Sequence, residues 1–213
     1  MARRRHVEGP RVGDRRRAAL LSALQARLGE QPLAEIGVGD VAAAAGLSRS
    51  AFYFYFPTKA AAVAALLADF EQEMTEAAAD WYEGRDRPPR ERVARGLAAT
   101  IALWRERGPV LVAMLDAVGV DPEVREIWRT WTERFVARVA ARIDEDRAAG
   151  IAPPGPPAEA LAVPLLGSAL FAMERELRAA RDGTPLSADL HAALVEVWWA
   201  TIYGGAGAPD EAA

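Results

Sequence analysis

Five aromatic side chains stand in succession, Phe52-Tyr53-Phe54-Tyr55-Phe56, between a glycine at 46 and a proline at 57. At 100° per residue, five consecutive positions cover the whole circumference of a helix, so one buried face cannot take them all. The flanks give the backbone reading. Gly46 supplies the positive φ that ends a preceding helix at Ala45. Ser48 is of the type that caps a new helix, Pro57 stops that helix, and Thr58 caps the next. Within 48–56, helical spacing puts Phe52 and Phe56 on one face, near Leu47, as core. Arg49, Ser50, Tyr53 and Phe54 fall on the other. A cation, a hydroxyl and a phenol beside one another on an outward face are what a helix entering a DNA major groove requires.

The stretch from Gly46 to Lys59 resembles the N-terminal domain of TetR-family transcriptional regulators, whose pattern is Gly-x-Ser-x-x-(Thr/Ala)-x-Tyr-x-(His/Tyr)-Phe-x-x-Lys. Gly46, Ser48, Ala51, Tyr53, Tyr55, Phe56 and Lys59 match it. The resemblance implies an all-α fold, with a three-helix helix-turn-helix domain followed by a six-helix ligand-binding and dimerisation domain. Arg49, Ser50, Tyr53 and Phe54 are then expected at base edges. Ser48, Tyr55, Lys59 and the cluster Arg15, Arg16 and Arg17 are expected on phosphates. Gly37 departs from the pattern, standing where a serine usually precedes the second helix.

Charge distribution agrees. The net charge is −4, but residues 1–59 hold ten basic side chains against five acidic ones, and the remainder holds 16 against 25. Opposite signs in two parts of one chain suggest a DNA-facing end and a body that DNA does not touch. An architectural protein that coats DNA would need basic charge along its whole length. With no cysteine, a disulfide framework, a thiol nucleophile and a thiolate metal site are all excluded. No apolar run reaches the roughly 18 residues of a membrane span, and residues 1–17 lack a signal-peptide apolar region; a cytoplasmic protein with no membrane partner is expected.

The rest reads as helix after helix, divided by Pro and Gly. The predicted organisation is a flexible basic tail over 1–13, a DNA-binding domain over 14–57, a ligand-binding and dimerisation domain over 58–204, and a disordered tail over 205–213. The first helix is predicted from a cap at Asp14 to Leu28, and the second from Val38 to Ala45. The fourth is predicted unbroken from Thr58 to Glu83, on the rhythm of Val63, Leu66, Leu67, Phe70, Met74, Ala77 and Trp81. Helices follow over 89–106, 109–118 and 121–149, the last capped by Asp121 with Pro122 at its first position. The eighth, over 158–181, is expected to kink near Pro164. The ninth covers 187–203.

Beyond the first domain, Asp121-Pro-Glu-Val-Arg-Glu-Ile-Trp128, Ile143-Asp144-Glu145 and Trp198…Ile202-Tyr203-Gly204 resemble the ethionamide-resistance repressor subgroup of that family. This implies a tunnel for a small apolar ligand inside the body, lined here by Thr100, Trp104, Met114, Leu115, Trp128, Trp131, Phe135, Leu170, Met173 and Trp198, with Phe171 on the same apolar faces. The subgroup's polar asparagine pair falls at Leu170 and Met173, so its ligand polarity does not carry over. No charged side chain is placed in this lining, and an ionised effector is expected to be disfavoured.

An enzyme is the main alternative. His6 and His191 lack metal-ligand spacing, with His191 expected at the surface. Adjacent Asp144, Glu145 and Asp146 cannot all face one site. Glu174 and Glu176 beside Arg175 and Arg178 read as a solvated face, and no Gly-rich phosphate loop follows a strand. No catalytic residue, metal or cofactor is assigned. The expectation is a homodimeric repressor, paired through the eighth and ninth helices, that binds a palindromic double-stranded operator and is released by an apolar small molecule. A helical small-molecule-binding protein and a ligand-independent DNA-binding regulator are the other readings.

Overall fold

The computed structural model describes residues 12–84 and 86–204, and among them the chain forms α-helices, one 3₁₀ turn and no strand. The helices are α1 (Val12–Leu28), α2 (Val38–Ala44), α3 (Arg49–Tyr55), α4 (Lys59–Ala77), α5 (Ala79–Tyr82), α6 (Pro89–Glu106), α7 (Gly108–Val120), α8 (Pro122–Ala148), α9 (Ala158–Arg181) and α10 (Leu190–Tyr203); the 3₁₀ turn is Leu33–Glu35. The predicted basic tail lies outside the described residues except for Val12 and Gly13, which open α1, so Asp14 sits in the first turn and does not cap the helix. The tail predicted after Gly204 also lies outside them.

Local chemistry accounts for most boundaries. Thr58 Oγ1 accepts the Ala61 N–H at 2.9 Å to start α4, and Asp121 Oδ1 accepts those of Glu123 and Val124 to start α8. The α9 helix runs through Pro164, which lies on its exposed side. The last helix starts at Leu190, three residues later than expected, and the Asp189 N–H is met by the Ser187 hydroxyl instead.

The predicted fourth helix is broken at Ala78, which is why the eighth and ninth helices of the sequence reading are α9 and α10. Nothing in the run Glu76-Ala-Ala-Ala-Asp80 is a breaker; the cause is tertiary. Trp81 is buried against α6 at Gly96, where an added Cβ would stand 2.9 Å from the Trp81 Cβ. A glycine in α6 thus lets α5 close onto it.

One contiguous apolar core runs from Leu20 to Tyr203. Its centre is aromatic. Phe70 of α4 stacks on Trp131 of α8, with ring centroids 6.1 Å apart, and meets Trp104 of α6 edge-on at 6.0 Å. Ion pairs add to the hold on α4: Arg134 to Glu71 (3.0 Å) and Arg107 to Glu73 (2.8 Å). Exposed pairs contribute at most about 1 kcal/mol each, while burial of an aromatic ring gives about 1.5–3. Apolar packing decides the position of this helix.

A second, ionic, knot joins three helices. Arg92 (α6), Arg142 and Asp146 (α8) are buried, and the Tyr203 hydroxyl (α10) donates to Asp146 Oδ2 at 2.6 Å. Asp146 also accepts from Arg142 Nη2. One member of the acidic trio therefore turns inward. Glu176, predicted on a solvated face, accepts from Arg105 Nη2 at 2.7 Å with its side chain nearly buried. His191 is also not a free surface residue; its Nε2 lies 2.7 Å from the Ala94 carbonyl oxygen of α6.

Gly→Ala in a helix ordinarily stabilises by up to about 1 kcal/mol. Gly96→Ala is expected to do the reverse, lowering unfolding free energy by about 1–3 kcal/mol through overpacking on Trp81. Gly119→Ala in α7, with nothing within 4 Å of the added Cβ, is the control, and denaturant unfolding of the two variants gives the comparison.

Candidate DNA-reading helix and effector cavity

The turn between α2 and α3 is closed by paired backbone bonds: Leu47 N–H to Ala42 O at 2.8 Å and Gly46 N–H to Ala43 O at 3.0 Å, with Gly46 at φ 68°. That is the two-bond stop that a left-handed residue makes possible. Ser48 Oγ accepts the Ala51 N–H at 3.2 Å and lies 2.8 Å from Ser50 Oγ. The start of α3 is therefore fixed by its own side chains, and a groove contact from either serine has to share that pair of hydroxyls.

Phe52 and Phe56 are buried, their rings 5.7 Å apart, and α3 presents Arg49, Ser50, Tyr53 and Phe54 outward. Phe54 is 82% exposed and Tyr53 45%. The Arg49 guanidinium lies over the Tyr53 ring at 5.8 Å, and the Phe54 ring meets Tyr55 edge-on at 5.1 Å. Arg49, Tyr53 and Phe54 thus form one held, exposed surface. Tyr55 is half-buried against the core, and a side chain at Gly13 would meet its hydroxyl at 3.9 Å. Arg15, Arg16 and Arg17 are exposed along α1; the Arg17 guanidinium lies 5.4 Å from the centre of the Phe56 ring, which brings this basic stretch beside the end of α3.

Lys59 stands differently from expectation. Its Nζ donates to Leu33 O at 2.7 Å and Ile36 O at 2.8 Å, binding α4 to the turn that precedes α2. The side chain that the family pattern offers to phosphates is here a clasp inside the N-terminal helices, with one N–H left over.

In the body, a cavity of about 50 Å³ is bounded by Met74, Trp81, Tyr82, Gly96, Thr100 and Trp198, with Phe135, Val139, Leu170 and Met173 completing the wall. Thr100, Phe135, Leu170, Met173 and Trp198 of the predicted lining are brought together. Trp104, Met114, Leu115, Trp128 and Trp131 are not. Trp104 points one turn beyond Thr100, where its Nε1 donates to Met74 Sδ at 3.3 Å. Trp128 stacks on Trp131 at 4.7 Å, and both lie toward the N-terminus of α8 from Phe135. Met114 is core of α7, and Leu115 is only partly buried beside it. Phe171 is 68% exposed, on the opposite side of α9.

The sequence reading missed Met74, Trp81 and Tyr82, whose placement depends on the α4–α5 break. Gly96 and Thr100, small residues one turn apart on the apolar stripe of α6, were the legible signal of a hollow. Burial pushes the Tyr82 hydroxyl up to about 12, with Arg138 opposing, so this wall residue stays neutral. Fifty cubic ångströms holds one or two waters, whereas small-molecule sites span about 300–1,000 Å³.

Residues 20–66 match the family model for bacterial regulatory proteins of the tetR family, and residues 93–204 match the C-terminal domain of the transcriptional regulator EthR. The HTH-type transcriptional regulator EthR of Mycobacterium tuberculosis is 36% identical over 197 residues, covering 90% of this chain and 89% of that relative.

The chain belongs to the TetR family of transcriptional regulators.

Within this TetR family, the EthR of Mycolicibacterium smegmatis is 32% identical, covering 90% of this chain and 88% of its own length. Among solved structures, the SmeT–triclosan complex has a similar fold, with a TM-score of 0.70 at 19% identity, covering 93% of this chain and 99% of that one. A TetR-type recognition segment depends on its turn, so Lys59→Met is expected to lower unfolding free energy by about 1.5–3 kcal/mol, the range for hydrogen bonds made by a charged group. Chemical denaturation measures it; unchanged stability would return Lys59 to a purely DNA-facing role.

Proposed function

We propose that this TetR-family regulator is a homodimeric repressor whose α3 helices enter successive major grooves of a palindromic operator, and that an effector inside the body releases it. Residues 14–57 form the DNA-binding head and 58–204 the sensing body, working in the cytoplasm where the operator is. The observation that carries this reading is the exposed surface of Arg49, Tyr53 and Phe54 on a helix capped and closed at both ends. Arg49 is of the type that reads guanine, and Phe54 offers an apolar contact for a thymine methyl.

Mechanism follows from linkage. DNA favours heads spaced about 34–36 Å apart, and the effector favours another spacing. Inverting a 1:99 population requires a preference of about 5.5 kcal/mol for one state. The cavity must grow to take any effector. Its wall includes Met74 and Ala78 at the end of the helix whose first turn, at Thr58 and Lys59, touches the head and the start of α8. Displacement there therefore has a mechanical route to α3. Trp198 Nε1 is buried without a partner, so an apolar effector with one acceptor atom suits the wall better than a pure hydrocarbon.

For the dimer, α9 and α10 supply the face. Leu165, Leu166, Val195 and Trp199 are buried within one chain; Trp199 stacks on Tyr203 at 4.8 Å beneath the Arg90 guanidinium. Outward on the same helices are Val163, Phe171 and Val197. Large exposed apolar side chains on both of these helices favour a two-fold pairing.

Two outcomes test this. Duplexes selected from a random library by the protein should be palindromic, and Arg49→Ala should cost about 1–3 kcal/mol on them and relax one or two positions in each half; selection of no preferred sequence sinks the assignment. Phe171→Glu should give monomers in sedimentation and lose operator binding while keeping its helical spectrum. A dimeric, DNA-competent Phe171→Glu would place the interface on another face.

A further inference from the structure

Arg92 is 2% exposed, its Nε and Nη1 have no hydrogen-bond partner, and its Nη2 lies 3.5 Å from Asp146 Oδ2. A guanidinium carries five N–H donors, and a buried charge is normally paired and fully hydrogen-bonded because it has given up water. Asp146 does not meet that need. It is 1% exposed, and its two oxygens already accept from Arg142 and from the Tyr203 hydroxyl. Two buried guanidinium groups thus share one buried carboxylate. The next acid, Glu145, lies on the Arg142 side at 3.6 Å with its side chain half in solvent. The interior is left with a cation whose Nε and Nη1 donors have no acceptor in the protein.

This cluster adjoins the effector cavity. Val93, the next residue, and Gly96, one turn on, belong to the cavity wall, as do Trp81 and Tyr82. The Tyr82 carbonyl accepts from Arg142 Nη1 at 2.9 Å. Tyr82 of α5 therefore touches the hollow with one part and the charged cluster with another. Burial, then the bond to Asp146, holds the Tyr203 hydroxyl well above the ordinary tyrosine range, so it remains a neutral donor and supplies no negative charge for Arg92.

We propose that the effector is an amphiphile with one carboxylate end: its apolar body fills the enlarged cavity beside Phe135, Leu170, Met173 and Trp198, and its carboxylate pairs with Arg92. The inference rests on the reading of this cavity as the effector site. A single carboxylate balances the excess of two buried guanidinium groups over one buried carboxylate, and its two planar oxygens match the guanidinium fork. It also replaces the expectation of an uncharged effector, because the charged group that sequence could not place directly precedes Val93 of the wall. Entry needs Trp81 and Tyr82 to move, and these lie on the short helix at the end of α4, so engaging Arg92 and displacing that helix are one event.

The test titrates the full chain with decanoate and with methyl decanoate, each below its aggregation limit, following tryptophan fluorescence and the melting temperature. Decanoate should bind about tenfold or more tightly, as a charge-assisted pair predicts. In Arg92→Gln that preference should vanish while the ester keeps its affinity, and the ligand-free melting temperature should hold or rise, since the excess buried charge is gone. Ester binding equal to or tighter than acid binding in the unaltered protein overturns the carboxylate assignment and leaves the apolar site standing. An acid preference that persists in Arg92→Gln also overturns it. Binding of neither compound overturns both this inference and the effector reading of the cavity. If Arg92→Gln does not fold, the acid and ester comparison on the unaltered protein decides alone.

Discussion

The Phe70 ring, stacked on Trp131 and met edge-on by Trp104, is the contact on which the arrangement of the chain depends. It fixes the middle of α4 against α6 and α8. With the middle held, the two ends acquire separate tasks. The first turn, through Thr58 and Lys59, settles the N-terminal helices against the body. The last turn, through Met74 and Ala78, bounds the cavity. A helix pinned at its centre behaves as a lever, and interiors packed at crystal density respond to strain by switching between arrangements more readily than by stretching.

How much of this was legible in the sequence depends on the range of the interactions involved. The α2–α3 turn, the caps at Ser48, Thr58 and Asp121, and the burial of Phe52 and Phe56 are decided within a few residues, and the sequence reading carries them. The break at Ala78 is decided elsewhere, by a glycine on another helix, and the local run of alanines gives no sign of it. The lining of the cavity inherits that difficulty: Trp104 and Trp131 lie on the correct faces of their helices but one turn from the hollow, and periodicity specifies a face without specifying a height.

The ionic knot was half legible. Val139, Arg142, Ile143 and Asp146 follow one helical stripe, and charged residues at core positions are the visible mark of a buried pair. Adjacency of Asp144, Glu145 and Asp146 concealed it, because three acids in a row suggest a surface. Trp199, beside Trp198 in α10, is enclosed by Tyr203, one turn on, and by Arg90 from α6, contacts that neither residue's place in the sequence announces.

Lys59 is the only lysine in the chain, and its ammonium is spent on two carbonyl oxygens between α1 and α2. An ammonium so engaged cannot act as a nucleophile until the clasp opens and a proton leaves. Side-chain acylation of this protein is therefore a clock with a single hand: its rate reads how often the N-terminal helices part from α4, a local opening that proceeds without global unfolding. Operator DNA, by closing the head, would slow that clock, and an effector that loosens it would speed it.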